Sequence, residues 1–152
     1  MKQIFFTILI TLLFSVSVIA SPDKTRFDDL QGVLYQSTHD GDTIRFNIPN
    51  THPLFGHNIP IRLRGIDTPE INSSCPSERQ HAIAARQHVH TLLHNAHTIT
   101  LKRVGRGKYF RILGDVVFDG VDLGQHLLQN GWAVSYDGDQ KKSVWCDSIV
   151  NE

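Results

Sequence analysis

The sequence predicts a mainly β domain in which five strands curl into a small barrel and two to three helices pack against it. Three observations carry this reading. Five short runs place apolar residues at a two-residue period, bounded by Asp, Gly, Pro or Ser. Between the third and fourth runs, Ala82, Ala85, Val89, Leu92, Leu93 and Ala96 repeat at three- and four-residue steps, the stripe of an amphipathic helix. A chain of 152 residues suits one domain with a real core.

The first twenty residues differ in kind from the rest. Lys2 supplies a short positive start, Ile4 to Ile19 is almost wholly apolar, and Val18-Ile19-Ala20 offers a small-residue cleavage pattern before Ser21. Residues 1–20 therefore read as a secretory signal peptide, with an uncleaved N-terminal anchor as the alternative. Residues 21–30 are a polar lead-in, 31–137 the folded domain, and 138–152 a C-terminal tail.

Within the domain, Gln31 to Ser37 reads as the first strand, and His39-Asp40-Gly41-Asp42 as a tight turn, Asp-Gly being a strong hairpin signal. Thr43 to Ile48 pairs back as the second strand. Two prolines and a glycine make residues 49–58 a loop, and Ile59 to Ile66 is the third strand. The long helix starts near Ser77, where Ser77 and Gln80 fit a capping box. Thr98 to Val104 is the fourth strand and Ile112 to Phe118 the fifth. Asp119-Gly120 is another tight turn, and Leu123 to Asn130 is a short helix stopped by Gly131.

Fifteen Lys+Arg balance fifteen Asp+Glu, so the chain lacks the strongly basic field of a general nucleic-acid binder. An anionic substrate must then be met by a local basic cluster or a metal. Cys75 and Cys146 are the only cysteines, so after export a single intramolecular pairing is open to them. That link would close a long loop, contributing about 4 kcal/mol in the chain-entropy view; two unpaired thiols are the alternative. His90, His94 and His97 have a spacing a transition metal accepts, but no carboxylate or cysteine joins them, and a solvated helix surface is the plainer reading.

The chemistry concentrates in three segments. Asp40-Gly41-Asp42 closes the first hairpin, while Asp67 ends the third strand. If strands two and three are antiparallel neighbours, Asp42 and Asp67 meet at one sheet edge. Two carboxylates with a backbone carbonyl and waters make an oxygen site suited to Ca²⁺. The pattern is not an EF-hand, because Arg45 stands at the required glycine position. Asp40 fits the ordinary structural role of a turn aspartate. Arg62 and Arg111 are guanidinium forks of the kind a phosphodiester's developing charge needs, and Glu70, near the metal, is placed to activate a water as general base. Val104 to Arg111 is a basic, glycine-containing loop with two aromatics. It does not match a phosphate loop and better fits phosphate contact plus base stacking. Arg64 reads as an ordinary surface charge.

Asp40-Gly41-Asp42-Thr43, Arg62 through Glu70, and Lys108-Tyr109-Phe110-Arg111 resemble, in order and spacing, the three signature segments of the staphylococcal nuclease (thermonuclease) family. The resemblance runs from about Gly32 to Tyr136. It implies an OB-fold barrel with helices and hydrolysis of DNA and RNA phosphodiesters with Ca²⁺, leaving 3′-phosphate ends. By the same resemblance Asp42, Asp67 and the Thr68 carbonyl hold the calcium, and Arg62 and Arg111 bind the scissile phosphate. Glu70 acts on the attacking water, and Lys108, Tyr109 and Tyr136 contact the nucleotide. The sequence departs from the pattern at Phe110, where the family usually has glycine, and in its short tail, which a Cys75–Cys146 bond would anchor near the Asp67–Glu70 loop. The expectation is a secreted or periplasmic monomeric nuclease, without stable membrane association once the leader is cleaved. The rival is a nuclease-like module that binds nucleic acid without cutting it.

Overall fold

The computed structural model describes residues 27–138 and 144–146. The leader, most of the lead-in and most of the tail lie outside the described residues. In chain order the elements are β1 (Leu30–Gln31), β2 (Leu34–Thr38), β3 (Thr43–Asn47), α1 (Pro53–Gly56), β4 (Ile59–Leu63), β5 (Ile66–Asp67), α2 (Pro76–His94), β6 (Ile99–Arg106), β7 (Ile112–Phe118), β8 (Val121–Asp122), α3 (Leu123–Gln129) and β9 (Val134–Ser135). The long sheet has the order β1-β6-β7-β4-β3-β2, with β8 on β7, and β5 pairs separately with β9. Only β4 and β7 run parallel within it; the other pairs are antiparallel.

This sheet curls into an OB-like half-barrel with three helices, as expected from the sequence. The five predicted strands are its five long ones, β2, β3, β4, β6 and β7. Their inward residues, among them Ile44, Phe46, Ile61, Leu101 and Val116, are fully buried, and the stripe of α2 closes over them through Val89 and Leu93. Among the described residues no helix is long and apolar enough to cross a membrane.

Several boundaries differ from the sequence reading, each for a local reason. Gly32 and Gly65 adopt left-handed φ values of 64° and 74°, which interrupts extended pairing. The first strand is therefore split into β1 and β2, and the third into β4 and β5. The loop at 49–58 contains a helical turn, because His52 Nδ1 accepts the Leu54 N–H at 3.2 Å and Pro53 suits the first helical position. The expected capping box at Ser77 is not formed. Pro76 begins α2 with Cys75 as N-cap and no side-chain cap bond, since proline has no N–H to satisfy at that position. α3 follows expectation: Asp122 caps its start by accepting from Gln125 N at 2.9 Å. Gly131 N and Trp132 N bond back to Leu128 O and Leu127 O at its end, the Schellman arrangement with glycine at φ 72°.

Candidate active site

The β2–β3 hairpin positions the first carboxylate. Asp40 Oδ1 accepts the backbone N–H of Thr43 at 2.7 Å and of Asp42 at 3.3 Å, so Asp40 is a turn-builder, as its position suggested. Gly41 is required by packing: a Cβ there would lie 2.8 Å from Thr68 Cγ2. The β2–β3 turn and the loop after β5 thus touch at a glycine, and Asp42, 1% exposed, is enclosed between them.

β4 lies beside β3 with Thr43 opposite Arg62, and Leu63 N donates to Asp42 O at 2.8 Å. The sheet-edge meeting expected of strands two and three is therefore realised. The Arg62 guanidinium, 7% exposed, bridges the two carboxylates: Nη1 donates to Asp42 Oδ1, and Nη2 to Asp67 Oδ1 at 2.8 Å. Thr68 N donates to Asp42 Oδ2 at 3.0 Å. Asp42, Arg62, Asp67 and Thr68 form one buried cluster.

Burial raises the Asp42 carboxyl to about 7, with Asp40 and Asp67 adding to the rise and Arg62 and the Thr68 N–H opposing it. Burial opposes the Arg62 charge too, but Asp42 and Asp67 outweigh it and hold that guanidinium above its ordinary range. Two buried aspartates thus share one arginine, and one of them still resists ionising. An added hard cation would answer that deficit, and Thr68 Oγ1 is a buried oxygen with no hydrogen-bond partner beside it. The residues fit Ca²⁺ as an oxygen donor set. Among the described residues, however, no three His, Cys, Asp or Glu side chains are grouped to hold a metal, so backbone oxygens and water must complete the shell.

Glu70 follows two residues after Thr68, and its N–H donates to Glu78 Oε1 at 3.2 Å. Glu78 was not singled out by the sequence reading. It is nearly buried on the first turn of α2, where its other oxygen accepts from Ser73 Oγ at 2.5 Å and from Cys146 Sγ at 3.5 Å. An acidic residue in a helix's first turn was the available signal. Cys75 and Cys146 do come together, which brings the tail to this loop. The expected disulfide is nevertheless not formed: the thiols are hydrogen-bonded, and Cys146 followed by the Glu78 N–H lowers the Cys75 pKa from its ordinary value. Proximity is a matter of folding, whereas the bond requires an oxidant.

The β6–β7 turn carries the second cationic group. Gly107 N donates to Arg111 O at 2.8 Å and Arg111 N to Lys108 O at 3.3 Å, closing Lys108–Phe110 into a single 3-10 turn. Lys108 Nζ reaches Gly138 O at 3.3 Å, while Tyr136 N donates to Gly65 O at 3.0 Å. Asp67 faces Val134 across the β5–β9 pair, so Tyr136 follows two residues after the partner of Asp67, while Lys108 is tied to the segment beyond it. Arg111 precedes Ile112, which lies opposite Ile61, so its backbone starts one strand away from Arg62. Arg111 and Tyr109 are exposed.

One other sequence reading is revised. Arg64 is half-buried, donates from Nη2 to Arg103 O at 2.9 Å and lines a cavity of about 320 Å³ with Arg103, Asp115 and Asp122. The three histidines do not converge: His90 bonds Tyr35 Oη at 2.8 Å and stacks on His94, while His97 lies 3.5 Å from Asp119.

A family model described as staphylococcal nuclease homologue matches residues 60–147. The match takes in every site residue from Arg62 to Tyr136; Asp42 lies upstream of it and enters the site through the hairpin. No curated protein matches the sequence. With more than half of its length matched, and with the OB-like sheet just described, the chain belongs to the staphylococcal nuclease homologue family.

Proposed function

We propose that this protein is an exported, Ca²⁺-dependent nuclease that hydrolyses DNA and RNA phosphodiesters to 3′-phosphate products. The observation that carries the proposal is the buried Asp42–Arg62–Asp67 cluster, in which two carboxylates and one guanidinium share a site with an Asp42 carboxyl raised to about 7. Asp42, Asp67 and the Thr68 carbonyl would hold the calcium. When bound, the ion supplies Lewis-acid stabilisation of charge on the phosphate oxygens. The chain's own groups do the rest. Arg62 and Arg111 hold the phosphate's equatorial oxygens, where negative charge grows. Glu70 takes the proton of the attacking water at its carboxylate, on a backbone fixed by Glu78. Lys108, Tyr109 and Tyr136 hold the nucleotide. The apolar segment at 4–19 supports export and a periplasmic or secreted location. The working form is a monomer without stable membrane association.

The test is cleavage of linear DNA and RNA with Ca²⁺ or with chelator, beside Glu70→Gln. Cleavage that needs Ca²⁺ and collapses in Glu70→Gln is the expected outcome. Gel-shift binding without cleavage in Ca²⁺ would instead make the protein a nucleic-acid-binding module, and cleavage indifferent to chelator would remove calcium from the account.

A further inference from the structure

We propose that Phe110 is a stacking platform for an unpaired base of the substrate strand. The inference rests on the nuclease reading and adds to it a residue that contacts a base.

Phe110 is 82% exposed, and its neighbour Tyr109 is 91% exposed. Large rings are rarely left so bare. Both residues have left-handed backbones, φ 59° at Tyr109 and 57° at Phe110, a conformation that disfavours any residue with a Cβ. A bulky side chain in that conformation is a departure that commonly accompanies a binding role. The turn is nevertheless well held. It is closed at Gly107 and Arg111, tied to Gly138 through Lys108, and seated where a Cβ on Gly107 would meet Leu113 at 2.9 Å. The rings are thus displayed on a fixed support.

Their surroundings identify the partner. The Arg106 guanidinium carbon lies 5.9 Å from the centre of the Phe110 ring, and Lys108 and Arg111 flank the two aromatics. A bare aromatic face among three cations complements a polyanion that carries flat rings of its own. Nucleic acid meets that description, and base–aromatic stacking is its usual mode on single strands. In a duplex the base faces are already stacked on one another, so the platform can be used only by an unpaired strand. Lys108 and Arg111 meet the phosphates while Phe110 meets a base. The phenylalanine acts on binding rather than on the reacting atoms.

The experiment uses the full chain carrying Glu70→Gln, so that the probe survives, with Phe110→Leu and Phe110→Trp added separately. Fluorescence anisotropy is read at fixed salt on an oligothymidylate, on an abasic strand of the same length, and on a duplex. Phe110→Leu should weaken the oligothymidylate about tenfold and leave the abasic strand and duplex unchanged. Phe110→Trp should restore affinity, and the salt slope should stay that of the parent, because no phosphate contact is lost. Equal weakening on the abasic strand would show that Phe110 merely shapes the turn, and no weakening on the oligothymidylate would overturn the inference outright. A parent protein that binds none of the three probes would overturn the nuclease reading as well, whereas a parent that binds and a Phe110→Leu variant that binds equally well would overturn this inference alone.

Discussion

The Asp42–Arg62–Asp67 cluster and the β6–β7 turn are both rich in charge, yet they are built on opposite principles. The cluster is almost sealed, Asp42 and Asp67 being 1% and 3% exposed, and each of its charges is committed to another. The turn carries Lys108, Arg111 and Arg106 in the open beside two bare rings. Buried charges interact strongly because little water screens them, and each depends on its partner for the same reason. Exposed charges are screened and contribute little to folding, which leaves them available for a ligand. Stability should therefore be sensitive at the cluster, and binding at the turn.

The largest expected effect follows from breaking the cluster. Arg62→Met leaves two buried carboxylates facing each other and should lower stability by about 3 kcal/mol or more in chelator, read by urea denaturation, with added Ca²⁺ recovering part of the loss. Gly41→Ala should come next. Its Cβ would press on Thr68 and should cost about 1–3 kcal/mol as an overpacked contact, with the Ca²⁺-dependent rise in melting temperature reduced alongside. A Gly41→Ala protein as stable as the parent would mean that the two loops are not locked together.

A pH effect should appear at the α2–α3 contact. His88 Nε2 and His126 Nε2 lie 3.0 Å apart, and His88 stacks on Trp132. Burial first, then His126, lowers the His88 pKa below its usual 6.5. A depressed folded-state pKa contributes stability that is present above the ordinary value and lost as pH falls through the lowered one. Asp42, raised to about 7, acts in the opposite sense over the same range, so the His88 contribution is read as a difference: the melting temperature of the parent relative to His88→Gln should fall between about pH 7 and pH 5.

The smallest effect on folding belongs to the turn. Lys108→Ala and Arg111→Ala should each leave stability within about 0.5 kcal/mol. Each should reduce the salt slope of nucleic-acid binding by about one unit per lost phosphate contact. A loss of stability at Arg111 as large as that at Arg62 would erase the distinction between the two regions.

Legibility in the sequence followed how local each cause was. β3, β6 and β7 were readable because their period of two is written in consecutive residues, and α3 because Gly131 stands where a left-handed cap is needed. β8 and β9, with two residues each, are too short to carry a period and exist only through their partners. The start of α2 near Ser77 was readable, but the Ser77–Gln80 capping box does not form because Pro76 takes the first helical position. Glu78 is not legible in the sequence, because its partners Glu70, Ser73 and Cys146 meet it only in the folded chain. Arg64 was misread for a similar reason, its partner being a carbonyl 39 residues away.

By itself the sequence determined the five long strands, the two principal helices and the meeting of Asp42 and Asp67 at one sheet edge. These follow from periodicity, turn chemistry and the adjacency of hairpin strands, all of which act over a few residues. Only the tertiary structure decided that Arg62 spans both carboxylates, that Gly41 must be small for Thr68 to approach, and that Phe110 stands out into solvent. Burial, charge pairing and close approach are properties of the space between segments, and that space is defined only when the chain has folded.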